Sequence, residues 1–203
     1  MLFVLFISLI IMGMGASILS MVFSKYWLFT SGLIYMDSSP YYISMISCFA
    51  FFCIIMGYVM CYLTKSFKFF WAGSFLSLIM AMIGYVKGLS WLVNPESFLS
   101  NLSSFWKSSV NTAYVVPIEH KFKCCGFKMI NEYLNDACKS SDKNPCFRVL
   151  NQHFSSNIQS NGVFLLIQSG SHSFLIAFFF IEAQKITKKL TEFSPMRQLK
   201  RSG

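Results

Sequence analysis

The seven cysteines are the residues of this chain whose type and spacing could do chemistry. Four lie in its longest polar stretch: Cys124, Cys125, Cys138 and Cys146. The other three lie in or beside an apolar run: Cys48, Cys53 and Cys61. An even-numbered set in a polar stretch is typical of disulfides formed outside the cytosol. The split therefore predicts two redox environments in one chain.

Four cysteines permit three disulfide pairings. A bridge between the adjacent Cys124 and Cys125 would strain the disulfide geometry, which leaves two pairings. Both tie the Cys-Cys-Gly corner at 124–126 to the segments downstream, and Gly126 suits a turn whose backbone needs positive φ. Zinc-binding cysteine pairs are usually about two to four residues apart and favour the cytosol, so we expect no metal site.

The histidines offer no catalytic constellation. His120 and His153 lie in the polar stretch without a serine or cysteine motif around them, so we expect neither enzymatic activity nor a cofactor. His172 and Gln168, one helical turn apart in an apolar run, fit either an ion or proton site or hydrogen bonds to neighbouring helices. The other apolar runs contain no charged residue and no histidine, which favours hydrogen bonding.

The composition indicates a membrane protein. Hydrophobic residues make up 55% of the chain and charged residues only 12%, whereas a soluble domain carries about 25% charged residues. One soluble core of this size cannot hide so much apolar surface, so lipid must solvate part of it. The net charge of +9 could also indicate nucleic-acid binding, but no nucleic-acid-binding motif accompanies it.

Four apolar stretches have about the 20 residues that a membrane-spanning helix needs: 2–23, 41–63, 69–86 and 162–183. They leave a small outer loop at 24–40, an inner turn at 64–68, a large extracellular loop at 87–161 and a basic tail at 184–203. The first stretch is too long for a signal peptide and no basic segment precedes it, so we expect it to be retained. The predicted fold is an all-α membrane protein. It is a four-helix bundle with a small, mostly helical, disulfide-stapled loop.

Small residues one turn apart predict close helix packing in three of these stretches. The first stretch pairs Gly13 with Ser17 and Ala16 with Ser20. The second has Cys53, Gly57 and Cys61 on one stripe, and the third has Gly73, Ser77 and Ala81. Tyr26 and Trp27 would suit an interfacial aromatic belt. The turn and the tail together carry eight Lys and Arg residues, which predicts that both termini are cytoplasmic, in the plasma membrane or the endomembrane system.

A Cys-Cys-Gly corner in a long loop between spans three and four, followed by further loop cysteines, resembles the signature of the tetraspanin family. The resemblance covers essentially the whole chain and implies the nested bridges Cys124–Cys146 and Cys125–Cys138. It also implies stalk helices between 87 and 124 and a helix returning to the membrane from Cys146 to about 161. The chain departs from the family pattern in spans one and three, which lack the usual Asn and acidic or amide residues.

The resemblance further implies a membrane scaffold that associates laterally with other membrane proteins. Its variable segment 127–145 would choose partners through an apolar set: Met129, Ile130, Tyr133 and Leu134. The lipid bilayer is the other expected partner, and the sequence leaves open whether the protein forms a homo-oligomer. The alternatives are a channel or transporter subunit that uses the polar centre of the fourth span, and an adhesion or receptor-like protein.

Two modifications are predicted from local sequence. Asn101-Leu102-Ser103 is the only glycosylation sequon in the large loop. Cys61, near the cytoplasmic end of span two beside Lys65, is a candidate for S-palmitoylation, with a packing role as the equal alternative.

Overall fold

The structure, a computed structural model, describes residues 2–35, 37–64, 68–107, 112–129 and 144–199. Over these ranges the chain is helical and contains no strand: α1 Leu2–Ser31, α2 Ser39–Thr64, α3 Lys68–Val93, α4 Glu96–Lys107, α5 Thr112–Phe122 and α6 Cys146–Leu199, with a short 3₁₀ turn at Leu33–Tyr35. The predicted all-α fold is confirmed.

Among the residues that the structure describes, four helices are long and apolar enough to cross a membrane. Their candidate spans are Ile7–Ser31, Ser39–Cys61, Trp71–Val93 and Cys146–Ile181. Each exceeds the roughly 20 residues required to cross about 30 Å of hydrocarbon. The protein is therefore a multi-pass membrane protein.

Two of the helices extend past the predicted spans. The first helix continues to Ser31 instead of ending at residue 23, and the third continues to Val93 instead of ending at residue 86. The extra turns are stabilised by protein contacts. Trp27, expected at the lipid interface, is only 3% exposed and packs against Phe98 and Phe154, with both ring centroids at 5.8 Å. Its neighbour Tyr26 is 69% exposed.

The predicted return helix, fourth span and start of the tail form one continuous helix. Helix α6 has 54 residues, which at 1.5 Å per residue makes it about 80 Å long. It is therefore far longer than the membrane is thick and projects beyond it.

Small residues bring the spanning helices into backbone contact. A Cβ atom on Gly162 of α6 would lie 2.8 Å from the carbonyl oxygen of Gly88 in α3, and one on Gly73 would lie 2.9 Å from the carbonyl oxygen of Cys53. The predicted α3 stripe is buried along its length, with Ser77 fully buried and Ala81 2% exposed. The sequence analysis did not predict this contact between Gly88 and Gly162.

Helices α4 and α5 and the first turns of α6 fold into a compact unit. We call this unit, residues 94–107, 112–129 and 144–158, the module. Its core combines aromatic and aliphatic side chains with Trp27 and Leu28 of α1. The bundle has a second, smaller core nearer the opposite end, built around Phe51, Ile54 and Phe179.

Candidate functional site

The Cys-Cys-Gly corner is the covalent centre of the module. Helix α5 ends at Phe122, and the chain then turns through two residues with positive φ, Lys123 at 50° and Gly126 at 62°. The prediction for Gly126 is confirmed. Cys124 forms a disulfide with Cys146, with their Cα atoms 4.8 Å apart. This is the outer of the two bridges implied by the tetraspanin resemblance.

Backbone hydrogen bonds set the two sides of the corner in register. The Cys125 N–H donates to the carbonyl oxygen of Asn144 (3.0 Å), and the Cys146 N–H donates to that of Gly126 (3.1 Å). Next along, the Phe147 N–H donates to the carbonyl oxygen of Phe127 at 3.0 Å. The start of α6 is therefore held against residues 124–127 by bonds as well as by the disulfide.

Glu119 of α5 supports the corner from beneath. Its side chain is 1% exposed, and its Oε1 accepts the N–H of Gly126 at 3.1 Å. The N–H of Cys124 donates to its carbonyl oxygen at 3.1 Å. Sequence reasoning missed this residue, although it is the one acidic side chain of α5.

The module is also tied to the bundle. The Lys121 ammonium donates to the carbonyl oxygen of Thr30 at the end of α1. Within the module, the rings of Trp106 and Phe127 pack with centroids 5.1 Å apart. The module is thus anchored on the extended end of the first spanning helix.

A cleft of about 600 Å³ opens between the start of α4, the corner and the start of α6. It is lined by Asn94, Glu96, Ser97, Ser100, Lys128, Pro145, Phe147 and Arg148. The Lys128 ammonium lies 5.8 Å from the ring centroid of Phe147, and Oε1 of Glu96 accepts a 2.8 Å hydrogen bond from Nδ2 of Asn151. The cleft therefore places charged groups of both signs beside an aromatic ring.

The predicted partner-binding residues are placed only in part. Met129 is 70% exposed at the edge of the module. Cys125 is disulfide-bonded. The remaining predicted residues lie outside the described residues: Ile130, Tyr133, Leu134 and Cys138.

The predicted glycosylation site lies on α4. The Asn101 side chain is exposed, whereas its neighbour Leu102 is buried. The acceptor nitrogen is therefore on the outward face of the helix.

A second polar region runs through the bundle where α1, α2 and α6 meet. We call it the seam. Near the module, Oδ1 of Asn161 accepts hydrogen bonds from Ser20 (3.1 Å) and Ser24 (3.0 Å), and the hydroxyls of Ser20 and Ser44 are 2.7 Å apart. These bonds join three helices inside an apolar bundle.

His172 and Gln168 continue the seam away from the module. Nε2 of His172 lies 3.0 Å from the Ser47 hydroxyl, and the imidazole stacks on Phe51 with centroids 3.7 Å apart. Nε2 of Gln168 donates to the carbonyl oxygen of Ala16 at 3.4 Å. Both side chains bond to neighbouring helices, as expected of polar packing. His172 Nδ1 is buried without a hydrogen-bond partner.

Cys61 is buried in the smaller core with Phe51, Ile54 and Phe179. A thiol in that position fills space between α2 and α6, which favours the packing role over acylation; acylation stays a prediction. Over the residues that the structure describes, no group of three or more His, Cys, Asp or Glu side chains could hold a metal ion.

Comparisons of the chain with family models, with curated proteins and with solved structures found no match. The resemblance to tetraspanins therefore rests on the Cys-Cys-Gly corner and on the order of spans and loops.

Proposed function

We propose that this protein is a tetraspanin-like membrane scaffold that associates laterally with other membrane proteins and selects them through its module. The observation that supports the proposal best is the way the module is built. A disulfide, a register of backbone hydrogen bonds and the buried Glu119 hold it as one unit on the spanning helices. It exposes a charged cleft and Met129.

A fixed platform suits selective binding. Ordering side chains and loops at an interface costs about 0.5–1.5 kcal/mol for each immobilised flexible side chain. A module that is already clamped has less to order when a partner arrives. The proposal includes the prediction that the segment 127–145 selects the partners.

The bundle supplies the lateral surface. Large side chains point outward from the spanning helices, among them Phe29, Phe75 and Val86, each more than 60% exposed. Such a surface is solvated by lipid or by the helices of a neighbouring membrane protein. A second copy of this chain would meet the same surface.

The proposed orientation places both termini in the cytoplasm and the module outside it, in the plasma membrane or the endomembrane system. The Cys124–Cys146 disulfide supports it, because disulfides persist in oxidising compartments. The basic turn and tail support it through the positive-inside rule.

Proximity labelling in the native cell tests the scaffold function. A peroxidase fused beside the module should label a reproducible set of membrane proteins that an unrelated four-span protein at equal abundance does not label. A Cys124→Ser, Cys146→Ser variant should reach the same membrane and lose much of that set. Labelling that matches the unrelated protein would contradict the proposal.

The alternative is a channel or transporter subunit that uses His172 and Gln168. The unpartnered Nδ1 of His172 favours it. Against it, the other polar groups of the seam bond to one another or to backbone. Ion or proton flux into vesicles containing the purified protein would distinguish the two functions, since a scaffold should give the same flux as empty vesicles.

A further inference from the structure

An apolar groove of about 390 Å³ runs along the outside of the bundle between α2 and α3. Gly57 of α2 and Gly73 of α3 both line it. The two helix backbones are in contact here, since a Cβ atom on Gly73 would lie 2.9 Å from the carbonyl oxygen of Cys53. The glycines therefore leave space beside the contact between the two helices.

Large apolar side chains of α2 form one wall of the groove. Phe49, Phe52 and Met56 line it, and each is more than 40% exposed. Met60 continues the row one turn further along the helix. Methionine side chains are flexible and adapt to irregular apolar partners. The wall therefore suits a flexible apolar ligand.

The groove occupies one half of the membrane. Phe49 lies near the middle of the candidate span Ser39–Cys61, and Met60 lies next to its end. At 1.5 Å per residue, the distance along α2 between these two residues is about 16 Å. One leaflet contributes about 15 Å to a hydrocarbon core about 30 Å thick. The length of the groove therefore matches one leaflet.

The groove is too narrow to hold a helix. Its volume of about 390 Å³, divided by a length of about 16 Å, gives a mean cross-section of about 24 Å². A helix with its side chains is about 10–12 Å in diameter, which corresponds to a cross-section of about 80–110 Å². A single extended hydrocarbon chain fits so narrow a space.

A cation lies at the end of the groove that is nearer the membrane surface. Lys68 begins α3 one helical turn before Ala72, which lines the groove, and the Lys68 side chain is exposed. It precedes Trp71, where the candidate span begins, by about 4.5 Å along the helix. The headgroup layer extends about 5–7 Å beyond the hydrocarbon. Lys68 is therefore level with the lipid phosphates.

We propose that this groove binds one glycerophospholipid of the adjacent leaflet, with an acyl chain between α2 and α3 and its phosphate at Lys68. A lysine ammonium binds phosphate as a point charge. The groove and Lys68 contact the two ends of the same lipid, so this lipid is held longer than the others around the bundle. The inference goes beyond the scaffold function and does not depend on it.

Native mass spectrometry of the full chain, titrated in detergent with dioleoyl phosphatidylglycerol, tests the proposal. The wild-type protein should retain one lipid molecule. Ala72→Trp, which places an indole in the groove, should lose it. Lys68→Gln should weaken retention roughly fivefold, the effect of one lysine near an anionic surface. Dioleoylglycerol, which has the same chains and no phosphate, should be held as weakly by the wild-type protein.

Ile11→Trp and Lys25→Gln are the matched controls and should retain the lipid as the wild-type protein does. Ile11 is 66% exposed on α1, and Lys25 is exposed near the other end of that helix. A phosphatidylglycerol with a photoactivatable group in mid-chain should also cross-link the wild-type protein within 49–60 or 72–76, a result that needs no variant to fold.

Equal retention by all four variants would identify lipid of the general annulus only and would overturn the proposal. Cross-links confined to α1 would overturn it too, and so would tighter retention of cholesterol than of phosphatidylglycerol. Dimers joined by a bifunctional maleimide through Cys53, which lines the groove, would identify a second copy of the chain as the occupant instead.

Discussion

The module and the seam use buried polar groups in opposite ways. In the module, the buried Glu119 and the Cys124–Cys146 disulfide shape a corner whose charged side chains face water. In the seam, Asn161 and Ser20 bond to each other across helices and present nothing outward. Buried polar groups in the seam thus join one helix to another, whereas those in the module position an exposed corner. In the proposed function, the residues that meet a partner are the charged ones that the buried polar groups of the module leave exposed.

The largest effect should come from removing the disulfide. A bridge closing 22 residues is worth about 3 kcal/mol in the chain-entropy model. A Cys124→Ser, Cys146→Ser variant should therefore loosen the module while the part of the bundle around Phe51, Ile54 and Phe179 stays folded, because those residues form a core of their own. Hydrogen exchange should rise in α4 and α5 and stay low around Phe51 in α2. Equal loss of protection in both regions would show that the module and bundle are one cooperative unit.

The next largest effect should come from a methyl group at Gly162. A Cβ there would meet the backbone of Gly88 and of Leu92 at 2.8 Å and 3.0 Å, and backbone atoms cannot rotate away. Overpacking of this kind costs about 1–3 kcal/mol. Gly162→Ala should lower the thermal stability of the purified protein, followed by tryptophan fluorescence.

Gly15→Ala is the matched control for that variant. Nothing lies within 4 Å of a Cβ at Gly15, and Ala is a better helix former than Gly by about 1 kcal/mol. The control should be as stable as the wild-type protein or slightly more so. An equal loss of stability in both variants would mean that α3 and α6 are not in backbone contact at Gly88.

The sequence predicted features that depend on local pattern. Apolar length located the four spanning helices, and a glycine directly after the two cysteines indicated a turn with positive φ at Gly126. The polar pair His172 and Gln168 could be interpreted as packing because the other spans lack ionisable residues. Each of these follows from residues within a few turns of one another.

Features that depend on which helix faces which could not be predicted. Gly88 and Gly162 are 74 positions apart in number (162 − 88), and nothing local pairs them. Trp27 is of a residue type that is common at the membrane interface, but it is buried because Phe98 and Phe154 of the module pack against it. Glu119 reaches the corner because the chain turns back toward α5 after Phe122. The cleft is formed by residues from three separate segments. These are tertiary contacts between distant parts of the chain, and no periodic pattern in a single sequence reveals them.

Asn161 should matter more than other polar groups of the seam. Its side chain joins Ser20 and Ser24 of α1 to α6. Hydrogen bonds between membrane helices are worth about 0.6 kcal/mol on average and reach about 1.7. Asn161→Ala should thus destabilise the protein by about 1 kcal/mol, measured by unfolding in mixed detergent. The exposed Asn101→Ala serves as the control and should change stability little.

The smallest effect should come from His172→Phe, which separates the packing and transport roles of the seam. Phenylalanine keeps the stacking on Phe51, whose ring centroid is 3.7 Å from that of the imidazole. It removes one hydrogen bond to Ser47 and also removes Nδ1, which is buried without a partner. A lost hydrogen bond costs about 1 kcal/mol, while an unpaired buried polar atom carries a penalty of about 1–3 kcal/mol that the substitution relieves. The Ser47 hydroxyl can turn to a carbonyl oxygen of its own helix, as serines in helices do.

The two contributions nearly cancel, so His172→Phe should stay within about 1 kcal/mol of the wild-type stability. Ser47→Ala should be worse, because it leaves both imidazole nitrogens unpaired. Unfolding in mixed detergent compares the two variants directly. A packing role requires that order, together with unchanged partner labelling in His172→Phe. A variant that keeps its fold but loses an ion or proton flux present in the wild-type protein would instead identify His172 as a transport residue. The seam would then be functional in its own right, and the contrast with the module would no longer hold.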